Sequence, residues 1–279
     1  MSSTRAKELD QFYTNKDVVH KCFDFFKTHI KTRKLFYVEP SAGAGAFFEE
    51  LPENSRLGLD LEPQHEMVRK QDFLEFDAAT LPQDKIIVTI GNPPFGNNSS
   101  LAIKFVNKAA EYSAYVAFVV PRTFKKESTA HKLSKYLHLI AELELGKNSF
   151  NFQGQPYNVP CVFQIWEKRS NPRFKEKTAL SCSDFEFTTP ANAKFAIRRV
   201  GRLAGKVIQD FQKYSPSSHY YIRPLVDSGC CLLIFEATDW SPVKFNTCGN
   251  PSVSKRELIA LYLETKTRVC PTSDVRHIS

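Results

Sequence analysis

The chain lacks any long hydrophobic run. Its longest strictly apolar stretch, Ala114 to Val120, has seven residues, where a membrane-spanning helix needs about 20, so no spanning helix is expected. The stretch from Met1 to Glu8 has no apolar core, which predicts no secretory signal. Cysteine is sparse and unpatterned: seven residues, at 22, 161, 182, 230, 231, 248 and 270, with no Cys-x-x-Cys. That spacing argues against a disulfide framework and a zinc site, and predicts a reducing intracellular compartment, cytoplasmic or nuclear. Cys230-Cys231 fall in an apolar run and read as buried thiols. Internal repeats and low-complexity tracts are also missing.

What is present is ordinary globular material. Hydrophobic residues make up 42% and charged residues 24% of 279 positions, enough to bury a sizeable core in one large domain, or in one domain plus a smaller one. The charge is uneven. Residues 1–170 hold 22 Lys and Arg against 20 Asp and Glu, whereas residues 171–279 hold 16 against 10. A basic C-terminal region suits a polyanionic partner.

Apolar positions at helical spacing predict a helix over 16–31, opened by a capping box from Thr14 to Asp17. A strand at 35–38 runs into the small-residue loop Ser41-Ala42-Gly43-Ala44-Gly45-Ala46 and a short helix at 47–51. Further strands are expected at 56–61, around 67–68, and at 85–90, 115–120, 140–145 and 159–166, with helices at 99–112 and near 127–138. Strands alternating with helices mean a mostly parallel α/β sheet covered on both faces. A polar stretch at 168–177 reads as a domain boundary. Beyond it, strands are expected at 194–200, 219–223 and 230–236, and a helix at 254–264.

The sharpest signal is Asn92-Pro93-Pro94-Phe95, which follows the strand 85–90. Strand ends in a doubly wound sheet are where ligands bind. Two prolines lock the backbone and remove two donors, leaving an acceptor-rich loop in which the Asn92 side-chain oxygen and the Pro93 carbonyl suit an exocyclic NH₂. Phe95 offers a ring to stack on the group that bears it. Upstream, Asp60 ends the second strand, 21 residues after Glu39, where an acidic residue commonly takes ribose hydroxyls.

The tetrad and what lies upstream resemble the S-adenosylmethionine-dependent N6-adenine methyltransferases. The order of cofactor motifs, catalytic motif and recognition region is similar to the gamma class of the DNA adenine methyltransferases, over about residues 10–168. The resemblance implies a Rossmann-like seven-stranded sheet with helices on both faces and a small C-terminal α+β region. Residues 1–170 would be the catalytic domain and residues 171–279 a basic substrate-recognition region. It implies S-adenosylmethionine held by Thr14, Glu39, Gly43, Gly45, Asp60, Asp72 and Phe73, with Gln11-Phe12-Tyr13-Thr14 closing over its carboxylate. It assigns catalysis to Asn92, Pro93, Pro94 and Phe95, without metal, and implies an aromatic beside the extruded base: Phe152, with Phe150 and Tyr157 in reserve. In the basic region, Arg198, Arg199 and Arg202, with Lys206 nearby, are expected at phosphates.

The expected activity is methyl transfer to N6 of adenine, in DNA first and RNA as the alternative. A protein glutamine methyltransferase shares the Asn-Pro-Pro-aromatic loop, but the basic tail argues against it. A non-catalytic nucleic-acid-binding module is the remaining alternative, against which the intact series Gly43, Gly45, Asp60, Asp72 and Asn92 speaks.

Overall fold

The computed structural model describes residues 13–152, 155–173, 181–247 and 249–270. The chain divides into two compact units, Met1–Phe174 and Lys175–Ser279. In the first, β5 (Ile86–Gly91) and β6 (Tyr115–Pro121) are buried at nearly every position. Successive strand residues point to opposite faces, so such runs need cover on both sides of the sheet. Helix α1 (Lys16–His29) supplies part of it by burying Val19, Cys22, Phe23 and Phe26. The Phe23 ring meets Tyr37 edge-on at 5.9 Å. Helix α2 (Ala46–Glu50) buries Phe47 and Phe48, and helix α3 (Ser100–Tyr112) buries Ala102, Phe105, Val106, Ala109 and Ala110.

The other strands of this unit are β1 (Tyr13–Thr14), β2 (Leu35–Glu39), β3 (Arg56–Asp60), β4 (Arg69–Lys70), β7 (Leu137–Glu144), β8 (Phe150–Phe152), β9 (Gln155–Tyr157) and β10 (Cys161–Lys168). Seven of the unit's strands form one sheet in the order β4-β3-β2-β5-β6-β10-β7. It is parallel except for β10, which runs antiparallel to β6 and β7. This is a Rossmann-like α/β sheet. From β2 the chain first winds outward through β3 and β4, then returns to place β5 on the other side. The strand order therefore reverses between β2 and β5, which opens a crevice at their carboxyl ends. A small second sheet, β1-β8-β9, pairs Thr14 with Phe150.

The second unit is α+β. A four-stranded antiparallel sheet, β11 (Phe185–Thr188), β14 (His219–Pro224), β12 (Phe195–Arg198) and β13 (Val207–Ile208), packs Phe185 against Phe235 and Tyr262, both at 5.0 Å. The buried Asp184 carboxylate accepts from Tyr262 Oη at 3.1 Å and pairs with Lys266 Nζ at 2.7 Å, tying the sheet to the C-terminal helix Lys255–Val269.

Several expectations need correction. Residues 230–236 are not a strand but part of helix Ser228–Ala237, capped by Asp227, whose carboxylate accepts from Cys230 N at 2.8 Å. Its buried positions Cys231, Ile234 and Phe235 keep helical spacing, and Cys230 is exposed rather than buried. The helix expected near 127–138 is one turn, Glu127–Ala130. The Arg173 guanidinium takes the carbonyls of Ala130 and Ser134 at 3.0 and 3.1 Å, and the chain straightens into β7 from Leu137. The strand near 67–68 is β4, one residue further on. Thr14 does not cap α1: the cap residue is Asn15, and it makes no side-chain cap bond. No helix among the described residues is long and apolar enough to cross a membrane.

Candidate functional site

The carboxyl ends of β2, β3 and β5 deliver Glu39, Asp60 and the Asn92 loop to the crevice. After Glu39 the chain turns tightly: Gly45 N donates to Ala42 O at 2.7 Å, and Ala42 N to Leu59 O at 2.9 Å. Gly43 and Gly45 sit at φ of 50° and 89°, backbone that favours glycine. A Cβ on Gly45 would lie 2.8 Å from His65 Cδ2, and one on Gly43 3.3 Å from the Tyr13 ring. The Asp60 carboxylate accepts from Gly43 N at 2.7 Å and Glu62 N at 2.8 Å, so β3 fixes the turn that follows β2.

These elements enclose a cavity of about 270 Å³. Of the expected residues, Thr14, Glu39, Gly43, Asp60, Asp72, Phe73, Asn92 and Pro94 line it together. Gly45, Pro93 and Phe95 do not. Gly45 shapes the turn from behind, and Pro93 and Phe95 are buried. The Phe95 ring meets Phe150 edge-on at 6.5 Å in the core, and Phe150 is itself fully buried. The Phe152 side chain lies outside the described residues, as do Gln11 and Phe12.

The electrostatics of the cavity are one-signed. Four carboxylates, those of Glu39, Asp60, Glu62 and Asp72, line it, with no Lys, Arg or His among the described residues. Glu39 is 2% exposed, and its Oε2 has no hydrogen-bond partner among the described residues. Burial pushes its carboxyl well above the ordinary range, and the Asp60 charge pushes the same way, partly offset by the Phe48 backbone. Asp72 Oδ1 accepts from Leu74 N at 2.8 Å. Beside it, the Phe73 and Phe105 rings lie 5.0 Å apart and give the cavity an apolar wall.

The Asn92 loop is held from two sides. Ser41 Oγ donates to the Asn92 carbonyl at 3.0 Å, and Asn92 Nδ2 donates to Thr14 Oγ1 at 3.1 Å. Ser41, Phe105 and Gln64 were not anticipated at this site. Gln64 Nε2 donates to Tyr13 Oη at 2.6 Å and so ties the loop after β3 to β1.

In the second unit, Phe195, Ala196 and Ile197 are all buried, so β12 is covered on both faces up to Arg198. Arg198 Nε donates to Val200 O at 3.0 Å, Arg199 lies over the Tyr220 ring at 5.3 Å, and Arg202 is exposed.

A family model described as the EDM2 methyltransferase-like domain matches residues 58–171. No curated protein matches the chain. Among solved structures, a candidate RNA methyltransferase of Pyrococcus horikoshii is 16% identical, with a TM-score of 0.46 over 57% of this chain and 87% of that one. A candidate class I S-adenosylmethionine-dependent methyltransferase of Listeria monocytogenes is 17% identical, with a TM-score of 0.44 over 59% of this chain and 64% of the other. The 23S rRNA methyltransferase ErmE is 14% identical, with a TM-score of 0.41 over 60% and 74%.

Proposed function

We propose that the chain is an S-adenosylmethionine-dependent methyltransferase acting on N6 of adenine in nucleic acid, with DNA as the first substrate to test. The observation that carries this reading is the sign of the crevice. A doubly wound sheet that binds a dinucleotide presents N–H groups to a pyrophosphate. Here four carboxylates and, among the described residues, no cation line the crevice, which repels phosphate and favours a positively charged ligand. The buried Glu39 Oε2, without a hydrogen-bond partner among the described residues, fits an ammonium group. Asp60 fits ribose hydroxyls and Asp72 the adenine amine, while Phe73 and Phe105 supply an apolar wall for the ring.

When bound, S-adenosylmethionine supplies a methyl group made electrophilic by its sulfonium. The chain's part is to prepare the acceptor. An adenine amine is a weak nucleophile because its lone pair is delocalised into the ring. Acceptance of an amine hydrogen by the Asn92 amide oxygen favours a tetrahedral nitrogen and holds it for in-line attack. Pro94 stiffens the loop. A base inside a duplex cannot enter such a pocket, so the substrate is single-stranded or its base is flipped out. The basic unit from residue 175 onward is assigned to the nucleic acid, through Arg202 foremost.

The test is transfer of label from tritiated S-adenosylmethionine to duplex DNA, single-stranded DNA, RNA and a glutamine-bearing protein, followed by identification of the methylated base. N6-methyladenine in DNA supports the proposal, and in RNA it moves the substrate. Label in protein, or none anywhere, overturns it. Asn92→Ala should lower kcat by about 10²–10³ with binding of both substrates nearly intact.

A further inference from the structure

We infer that Thr14 is a positioning residue for Asn92, an inference that rests on the methyltransferase reading above. The resemblance placed Thr14 at the cofactor. Thr14 lines the cavity, and its hydroxyl takes the Asn92 amide hydrogen, with Oγ1 3.1 Å from Nδ2 across 78 positions of sequence. An asparagine amide carries its donor and its acceptor at opposite ends. Committing the NH₂ end to Thr14 turns the oxygen end to the other side, and an amide oxygen accepts up to two hydrogen bonds. A target amine needs that acceptor. A flipped Asn92 would point NH₂ at NH₂, a repulsive contact.

Thr14 can hold the amide because it is itself held. It is 7% exposed and sits in β1, paired with Phe150 of β8. The next residue, Asn15, donates its backbone N–H to Ser149 O at 3.0 Å. Phe150 also packs its ring against Phe95 of the Asn92 loop. One small sheet thus supports the loop twice, through a hydroxyl and through a ring. Ser41 fixes the other end of Asn92 by donating to its carbonyl. With side chain and main chain both fixed, the acceptor is oriented before the base arrives, where preorganisation has its largest effect on rate.

The experiment compares wild type, Thr14→Val, which keeps the shape and loses the hydroxyl, and Thr14→Ser, which keeps the hydroxyl. Three readouts are taken: the exchange rate of the Asn92 side-chain NH₂ by NMR, assigned by its loss in Asn92→Asp; the affinity for S-adenosylhomocysteine by calorimetry; and kcat on the nucleic acid that the wild type methylates. Expected in Thr14→Val are faster NH₂ exchange, unchanged affinity and a fall in kcat of about tenfold, the scale of one lost neutral hydrogen bond. Thr14→Ser should restore the exchange rate and kcat, with affinity again at the wild-type value. Unaltered NH₂ exchange in Thr14→Val overturns the inference, as does weakened S-adenosylhomocysteine binding with kcat intact, which would return Thr14 to the cofactor. A wild type that methylates nothing overturns the methyltransferase reading instead, and NH₂ exchange then decides alone whether Thr14 holds Asn92.

Discussion

The Asp60 carboxylate accepts the backbone N–H of Gly43 at 2.7 Å. With Glu62 N on its other oxygen at 2.8 Å, it is at once a wall of the cavity and the brace of the turn after β2. Asp60→Ala should therefore lower stability as well as cofactor affinity. Hydrogen bonds to a charged group contribute about 1.5–3 kcal/mol each, so a loss of about 2–4 kcal/mol is expected after water replaces part of them. Denaturant unfolding beside calorimetric titration checks this. A variant that unfolds like wild type and loses only affinity would remove the brace.

Glu39 gives the cavity a pH dependence. Its folded pKa is raised, by burial first and by Asp60 second. A carboxyl raised on folding binds a proton that the unfolded chain has released. Its effect on stability is therefore fully favourable below the unfolded value of about 4.3 and declines as pH rises through the folded value. A cation on Glu39 reverses that balance, since it favours the ionised form and expels the proton. Affinity for S-adenosylmethionine should rise with pH above the ordinary carboxylate range and level off once the free protein's Glu39 is ionised. Titrations from about pH 5 to about pH 8 read this directly. The rise should vanish in Glu39→Gln, and a flat wild-type profile would contradict it.

Most of this frame was legible in the sequence. β5 and α3 are local patterns bounded by local punctuation, and Glu39, Asp60 and Asn92 were found because each ends a strand or follows one. Helix Ser228–Ala237 escaped because a short apolar run, Cys230 to Phe235, has no period that separates strand from buried helix. The cap at Asp227 was the usable signal. Ser41 and Gln64 escaped for a different reason. Each makes its hydrogen bond to a residue 51 positions away, and no local spacing encodes which distant partner a hydroxyl or amide will meet. The role of Thr14 was hidden in the same way, by strand pairing between residues 13–14 and 150–151.

The basic unit makes a graded prediction. Arg202 is exposed, whereas Arg199 lies over Tyr220 and Arg198 is engaged with a backbone carbonyl. Arg202→Ala should reduce the slope of log affinity against log salt by about one phosphate contact on the methylated nucleic acid. Arg199→Ala should instead destabilise the fold through lost cation–aromatic packing, by about 0.5–2 kcal/mol, with the salt slope nearly unchanged. The reverse pattern in salt titrations would put Arg199, not Arg202, at the phosphates.

Phe95 separates a core role from a base-stacking role. It is 8% exposed, its ring meets Phe150 edge-on, and its carbonyl accepts from Leu101 N and Ala102 N at 3.1 and 3.2 Å, where α3 begins. The following residue, Gly96, turns at a φ of 68°. Phe95 thus anchors the loop from below while Asn92 and Pro94 face the cavity. Phe95→Ala should open a void and cost about 3–5 kcal/mol of stability. Phe95→Leu, which keeps most of the volume, should cost under about 1.5 kcal/mol and retain turnover close to wild type. A stacking partner would behave otherwise, because leucine has no ring face to offer a base. Both variants would then weaken nucleic-acid binding and turnover alike while unfolding near the wild-type midpoint. Denaturation midpoints, nucleic-acid affinity and kcat measured on the same two variants decide between the roles, and a stable Phe95→Leu with wild-type turnover is the outcome this packing requires.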